Sequence, residues 1–596
     1  MKISVVVATY NRGALLARTL PTLLSQEFPV DEYEVIVVVD GSTDNTRELL
    51  KRFHADCALR VIEQANRGPS VARNVGLRAA SGDVILFLDD DLVCDHTLLW
   101  QHAVSHEQRP TGVVAGQVLS LSESVQSLSS ERDRENTARY VERVSQQIEP
   151  RWPEDAIIFA NCSVSRDLLL AVGGFDERFF FGLEDVELGL RLWKSGARFA
   201  FCPAAITYHI YEKTKETLLR RDAPLYGRNE LLLCDQHPEY RPHSQLAAVF
   251  GGSGLKGYTR RRMIHRHQMM AVGLSVVLRA AEAACSISRM RRFSVRLLNL
   301  IYDLTMLESA VQYAGSMAAL QNRFGVRLPA LLYHRVGNPL AGTYRDLTVR
   351  PNRFASQIEW LATRGYVGIR ASDWVEWYKT GKQLPAKPVL ITIDDGYADL
   401  CDYALPILRR FGFSAVVYVV TGYVGDSNRW DQAAGSAALP LMSVEQIRYW
   451  AAQGMEFGCH TRTHPDLTAL GHREIQREIE GSREDLQQIL GVRPASFAFP
   501  YGTYSEESTQ QALRSFDLLV TCDEGINQLF GTPRMLKRSM VHCDDSLLDV
   551  GCRTLLGWNP LERARARIRL RSRLKRLFGG NTQYSPYFPP GAPRHR

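Results

Sequence analysis

At 596 residues the chain is too long for a single hydrophobic core, so two or three domains are expected. With 45% hydrophobic and 23% charged residues, the composition excludes a disordered or fibrous chain, and the lack of any window near ~18 uninterrupted apolar residues argues against a membrane-spanning helix. The net charge of +7 is concentrated: residues 256–296 carry ten basic side chains against Glu282, residues 561–577 carry eight against Glu562, and without these two stretches the chain falls to −9. Such stretches are either solvated helices or a means of attraction to an anionic membrane surface, and nothing in them matches a base-reading motif for nucleic acid. Eleven cysteines, scattered without close pairs, predict reduced thiols and a cytoplasmic setting. Met1-Lys2 runs straight into Ile3-Ser4-Val5-Val6-Val7-Ala8, too short for a signal-peptide core.

From the amino terminus, residues 2–8 predict a strand, followed by the turn Thr9-Tyr10-Asn11-Arg12-Gly13 and a helix through Leu24. Residues 34–39 predict a second strand, ending in Asp40-Gly41-Ser42-Thr43-Asp44; residues 59–63 a third; and Asn66-Arg67-Gly68-Pro69 opens another helix. Residues 83–88 form a fourth strand aimed at Asp89-Asp90-Asp91. Strands alternating with helices give an open, mainly parallel sheet whose ligands sit beyond the carboxyl ends of the strands, where these clusters fall. Three adjacent carboxylates repel one another unless a cation compensates, and a hard divalent ion bridging to a diphosphate does so.

With Gly173-Gly174-Phe175-Asp176-Glu177-Arg178-Phe179-Phe180-Phe181-Gly182-Leu183-Glu184-Asp185 further on, residues 1–236 resemble the family 2 glycosyltransferases of the GT-A type. The resemblance implies that Thr9, Asp40, Arg73, Asp89 and Asp90 contact the nucleotide sugar, and that Asp91 holds a divalent cation, Mg or Mn. His209, ending the strand over residues 204–208, would be an extra metal ligand, though a lone histidine there is also an ordinary structural feature. Asp185, with Glu184 beside it, would be the base that deprotonates the acceptor hydroxyl. Processive relatives carry a Gln-x-x-Arg-Trp motif and membrane spans. Trp152 stands in Pro150-Arg151-Trp152-Pro153 without that motif, which argues for transfer of one sugar or a few.

Residues 237–327 read as a basic helical connector. The apolar run at 269–278 is half a membrane long and flanked by arginines, fitting an interfacial helix or a plain helical hairpin equally. Beyond it, Leu390-Ile391-Thr392-Ile393 predicts a buried strand tipped by Asp394-Asp395-Gly396, whose carboxylates point opposite ways and so take different tasks. Residues 454–459 predict another strand, leading to His460-Thr461-Arg462-Thr463-His464-Pro465; a helical turn would put both imidazoles on one face, and with a carboxylate they suit zinc. Phe497-Ala498-Phe499-Pro500-Tyr501-Gly502 is a third strand ending in a rigid turn.

In this order, together with Leu331-Leu332-Tyr333-His334-Arg335-Val336, the three elements resemble the polysaccharide deacetylases (NodB-homology, family 4 carbohydrate esterases) over residues 328–558. The resemblance implies a distorted (β/α) barrel with its chemistry at the strand carboxyl ends. Asp395, His460 and His464 would hold zinc or a similar divalent metal, Asp394 would be the general base, the Tyr501 backbone amide would stabilise the oxyanion, and His542 would be the general acid. Many relatives pair the base with an arginine two residues before the Pro-Tyr turn; Ala498 stands there, and Arg538 is the candidate replacement. Residues 559–596 read as a basic tail with a disordered proline-rich end.

The expected protein is thus α/β: a GT-A (Rossmann-like) domain, a helical basic connector and a distorted (β/α) barrel. It would act as a bifunctional glycan-biosynthesis enzyme, taking a nucleotide sugar donor and a glycan or lipid-linked acceptor, and N-deacetylating an amino sugar. Its expected place is the cytoplasm, with peripheral contact at the inner membrane surface. Two alternatives stay open: a glycosyltransferase whose second domain is a catalytically weak carbohydrate-binding module, and a non-enzymatic membrane-surface scaffold.

Overall fold

The computed structural model describes residues 1–108, 112–121, 127–145, 160–211, 213–251, 273–277, 288–338, 346–432, 437–530 and 533–562. Trp152, most of the basic stretch 256–296 and the tail beyond Glu562 lie outside the described residues. No helix among the described residues is long and apolar enough to cross a membrane. Two compact units are formed, one by Met1–Phe250 with the later stretch up to Phe324, the other running from Gly325.

The first unit is built on an eight-stranded sheet. Its strands are β1 (Ile3–Thr9), β2 (Tyr33–Asp40), β3 (Ala58–Gln64), β4 (Val84–Asp89), β5 (Leu92–Cys94), β6 (Gly112–Ser120), β7 (Asn161–Ser165) and β8 (Arg198–His209), in the order β3-β2-β1-β4-β7-β6-β8-β5. β3, β2, β1 and β4 are parallel; β7 is antiparallel to both of its neighbours. The central strands read as unbroken apolar runs because both faces are covered: Val5, Val7, Val35 and Val37 enter one core, and Val6, Ile36, Val38 and Phe87 the other. The register pairs Ala8 with Asp89 and Thr9 with Val39, so β1, β2 and β4 all end at one edge.

The helix Ser288–Ala314, in the stretch read from sequence as a connector, packs in this unit against the helices Ala223–Gln236 and Leu128–Ser145. A Cβ at Gly227 would overlap the Met306 carbonyl, so glycine there permits the close approach. Ser309 Oγ donates to the Pro224 carbonyl at 2.7 Å, and the Arg132 guanidinium lies 4.1 Å over the Tyr302 ring.

The second unit is a curled parallel sheet of β9 (Ala330–Tyr333), β12 (Val367–Ile369), β13 (Pro388–Ile393), β14 (Val416–Val419), β15 (Glu456–Cys459), β16 (Ser496–Ala498), β17 (Leu518–Val520), β18 (Met535–Leu536) and β19 (Ser539–Met540). A small ribbon, β10 (Arg335–Val336) with β11 (Thr348–Val349), stands apart from it. The order is β18-β17-β16-β15-β14-β13-β9-β19, with β12 on the first half of β13. β18 and β19 are separated only by Lys537-Arg538, yet they pair with opposite edges, β17 and β9. The dipeptide therefore closes the sheet on itself as a distorted barrel.

Candidate functional site

In the first unit, the expected residues gather where β1, β2 and β4 end. Asp40 is turned into the adjoining loop: its carboxylate accepts from Gln64 Nε2 (2.7 Å), Arg67 N (2.9 Å) and Gly68 N (2.8 Å). Thr9 is buried beside it. Arg73, also buried, joins two expected motifs by donating to Asp89 (2.9 Å) and to Glu184 (2.9 Å). Burial alone would lower its pKa, but the two carboxylates reverse this and fix the charge.

Arg12, given no role in the sequence reading, bridges Asp90 (3.2 Å) and Asp91 (2.6 Å). Burial and the neighbouring Asp91 push Asp90 up to about 7 against the pull of Arg12, whereas His209 and Arg12 overcome burial to keep Asp91 low. β5 pairs Leu92 with His209, which brings the His209 Nε2 to 3.3 Å from Asp91 Oδ1. Asp91 Oδ1 is buried with this imidazole as its neighbour, and an oxygen–imidazole pair of this kind fits a divalent cation.

Asp185 sits in the first turn of the helix Glu184–Lys194, entered through Gly182 and Leu183 in left-handed conformations. Asn229, on the helix Ala223–Gln236, clamps this entry by donating to the carbonyls of Phe181 (3.0 Å) and Gly182 (2.8 Å). Burial and Glu184 push Asp185 up to about 7.

In the second unit, Asp394 and Asp395 follow β13, and a left-handed turn at Asp395 rather than strand alternation separates them. Asp394 is buried and receives the Arg538 fork, Nη1 to Oδ1 at 2.6 Å and Nη2 to Oδ2 at 2.8 Å. Arg538 also donates to the Thr521 carbonyl (3.0 Å) and is wholly buried at the closure of the barrel. Burial would raise the Asp394 pKa; the guanidinium, with His460 and His334, carries it below the usual carboxylate value. With Ala498 in place of an arginine, the guanidinium that pairs with Asp394 comes from the link between β18 and β19.

Asp395, at φ 73°, turns the other way, and its Oδ1 lies 3.6 Å from His460 Nε2 and 3.5 Å from His464 Nε2. These three residues offer ligand atoms all within 4.8 Å of one another, the one such group among the described residues. The expected helical turn between the histidines is absent. Residues 460–464 form an irregular loop in which Thr461 (φ 64°) and His464 (φ 62°) are left-handed, and this reversal brings the rings together. His460 Nδ1 pairs with the Ala498 carbonyl at 2.8 Å, leaving Nε2 toward Asp395, and burial holds the imidazole neutral down to about 4 despite Asp394. The His464 ring stacks on Trp430 and meets the Tyr501 ring edge-on, each 4.7 Å away, while its buried Nδ1 has no hydrogen-bond partner. Two imidazoles and a carboxylate converging in this way fit a zinc-like ion.

Tyr501, with φ 58°, marks the turn after β16. His542 and His334 follow the adjacent parallel strands β19 and β9. His542 faces Glu562 at 3.6 Å. His334 was visible as the polar residue closing an apolar strand, but nothing local distinguished it from a structural histidine.

Residues 4–171 match the family model for glycosyl transferase family 2, and residues 381–518 that for polysaccharide deacetylase. The chain joins a family 2 glycosyltransferase domain to a polysaccharide deacetylase domain. Among curated relatives, the deacetylase-named YxkH of Bacillus subtilis (strain 168) is 25% identical over 200 residues, covering 33% of this chain and 66% of its own. The validoxylamine A glucosyltransferase of Streptomyces hygroscopicus subsp. jinggangensis (strain 5008) is 34% identical over 218 residues, covering 33% and 52%. The chain thus spans between about half and two thirds of these relatives. The solved deacetylase PplD of Streptococcus pyogenes, in complex with acetate, superposes with a TM-score of 0.33 at 27% identity, covering 37% of this chain and 96% of its own.

Proposed function

We propose that the chain is a bifunctional glycan-biosynthesis enzyme. Its first unit would transfer a sugar from a nucleotide sugar to a glycan or lipid-linked acceptor, and its second would remove an N-acyl group from an amino sugar. The observation that carries the reading is the pairing at the end of β13: one carboxylate locked by Arg538, its neighbour facing two imidazoles.

In the deacetylase reading, Asp395, His460 and His464 would hold the metal. A bound divalent ion supplies Lewis-acid chemistry, lowering the pKa of water to near ~7. Asp394, kept ionised and aligned by Arg538, takes the proton of the attacking water. His542, which follows β19, and His334, which follows the adjacent β9, are the two candidates for returning a proton to the leaving amine. The Tyr501 backbone amide would face the oxyanion. In the transfer reading, Asp185 takes the acceptor hydroxyl's proton, Arg73 ties the donor-side Asp89 to the acceptor-side Glu184, and Asp91 with His209 would hold Mg or Mn.

The buried Arg538 fork favours an active barrel over a carbohydrate-binding module, because it keeps one aspartate ionised beside a group of residues able to hold a metal. The test is incubation with radiolabelled nucleotide sugars and membrane lipid extract, alongside acetate release from N-acetylated oligosaccharides. Label transfer lost in Asp185→Asn and acetate release lost in Asp394→Asn are expected. A chain inert in both assays would overturn the proposal and leave the scaffold reading.

A further inference from the structure

The helix Leu547–Leu556 leaves its four leucines on the outward face. Its buried face seats Val550 in the core and holds charged groups beside it. Asp549 is fully buried, accepting from Asn559 Nδ2 (2.9 Å) and from Ser546 Oγ (2.6 Å). Arg553 is 1% exposed and donates to Asp545 (3.0 Å) and Glu562 (2.7 Å). Its outward face is apolar: Leu548 is 73% exposed, Leu555 56% and Leu556 48%, with Leu547 beside them and Leu561 just beyond the helix. At 100° per residue, 548 and 555 lie one above the other and 547 and 556 lie on either flank, so the leucines cover the outward half of the helix. The helix cannot roll to hide them, because rolling would strip Arg553 and Asp549 of every partner they have in the interior.

We propose that this leucine face docks on an anionic lipid surface. Charge complementarity selects that occupant. The leucine face is followed directly by residues 561–577, which carry eight basic side chains and a single acid. A bilayer interface offers an apolar layer and negative headgroups in one plane, matching leucines and arginines adjacent in sequence. A second copy of the chain fits less well, since a two-fold contact through this helix would bring together two segments of net charge +7. The proposal deepens the lipid-linked acceptor reading and rests on it for the presence of a membrane at the site of action.

Co-sedimentation of the full chain with phosphatidylcholine vesicles, with and without phosphatidylglycerol, tests it. Binding is expected only with phosphatidylglycerol, and it should weaken as salt rises from about 0.1 to about 0.5 M. Leu548→Glu/Leu555→Glu should cut partitioning at least about tenfold, while Leu548→Phe/Leu555→Phe retains it. Circular dichroism of both variants should match the parent, since the changed side chains are exposed. If the glutamate variant partitions like the parent, the leucine face is not the docking surface, although the basic stretches still support a membrane reading. If the parent ignores anionic vesicles, both readings fall. If light scattering shows a dimer that the glutamate variant splits, the occupant is a second copy and the proposal is overturned.

Discussion

Arg538 is the residue on which the second site turns, and its effect is separable from that of the metal ligands. Arg538→Met leaves Asp394 buried and unpaired, which should cost about 3–5 kcal/mol of stability in chemical denaturation. The guanidinium depresses the Asp394 pKa, so its loss raises that pKa and less of the base is ionised in acid. The acid limb of the kcat/KM profile for deacetylation should therefore move to higher pH, with metal content unchanged. His460→Ala should instead empty the site of metal, as read by elemental analysis. A second pair of residues predicts a pH effect on stability alone. His102 and His106 are buried against Ser163, with His102 also bonded to Asn161, and burial lowers both to about 4. Unfolded histidine titrates near ~6.5, so between these values the unfolded chain binds more protons and stability falls as pH falls. Thermal unfolding of the first unit should shift down by on the order of several kcal/mol equivalent between about pH 7 and about pH 4, and His102→Gln/His106→Gln should flatten the slope.

At the scale of elements, the helix Ala223–Gln236 carries the acceptor-side turn on one side and packs on Ser288–Ala314 on the other. Gly227→Val would force these two helices apart at Met306, at a cost of roughly 1–3 kcal/mol. Because Asn229 lies on the same helix and clamps Phe181 and Gly182, transfer activity should fall with the melting temperature, while acetate release is unaffected. The β-strands and their polar tips were legible from alternating and continuous apolar runs, since burial on one or both faces writes itself into the sequence at period two. The His460–His464 turn was not. Two left-handed residues, neither of them glycine, make it, and each is uphill for an isolated chain. They are held by contacts from other segments: Trp430, Tyr501 and the Ala498 carbonyl fix the rings, and the Glu478 carboxylate accepts from the backbone of Arg462 and Thr463.

At the scale of the whole molecule, two units with separate cores predict activities that can be lost one at a time. Asp185→Asn should abolish transfer and leave deacetylation intact, and His464→Ala should do the reverse; a variant that loses both would mean the units are not independent. Truncation offers a further check, because residues 1–324 contain the helix Ser288–Ala314 whereas residues 1–236 expose the face it covers. The longer fragment should unfold cooperatively and the shorter should aggregate, as light scattering would show. Sequence alone determined the two α/β domains and the carboxylate tips Asp89-Asp90-Asp91 and Asp394-Asp395, because each is a local pattern of burial, polarity and turn chemistry. Only the tertiary structure decided that Arg538 rather than residue 498 holds Asp394, and that Arg12 and Arg73 tie the first site together. Those pairings join residues from tens to more than a hundred positions apart, and contact across such distances depends on how the sheets pair and close, which no local pattern encodes.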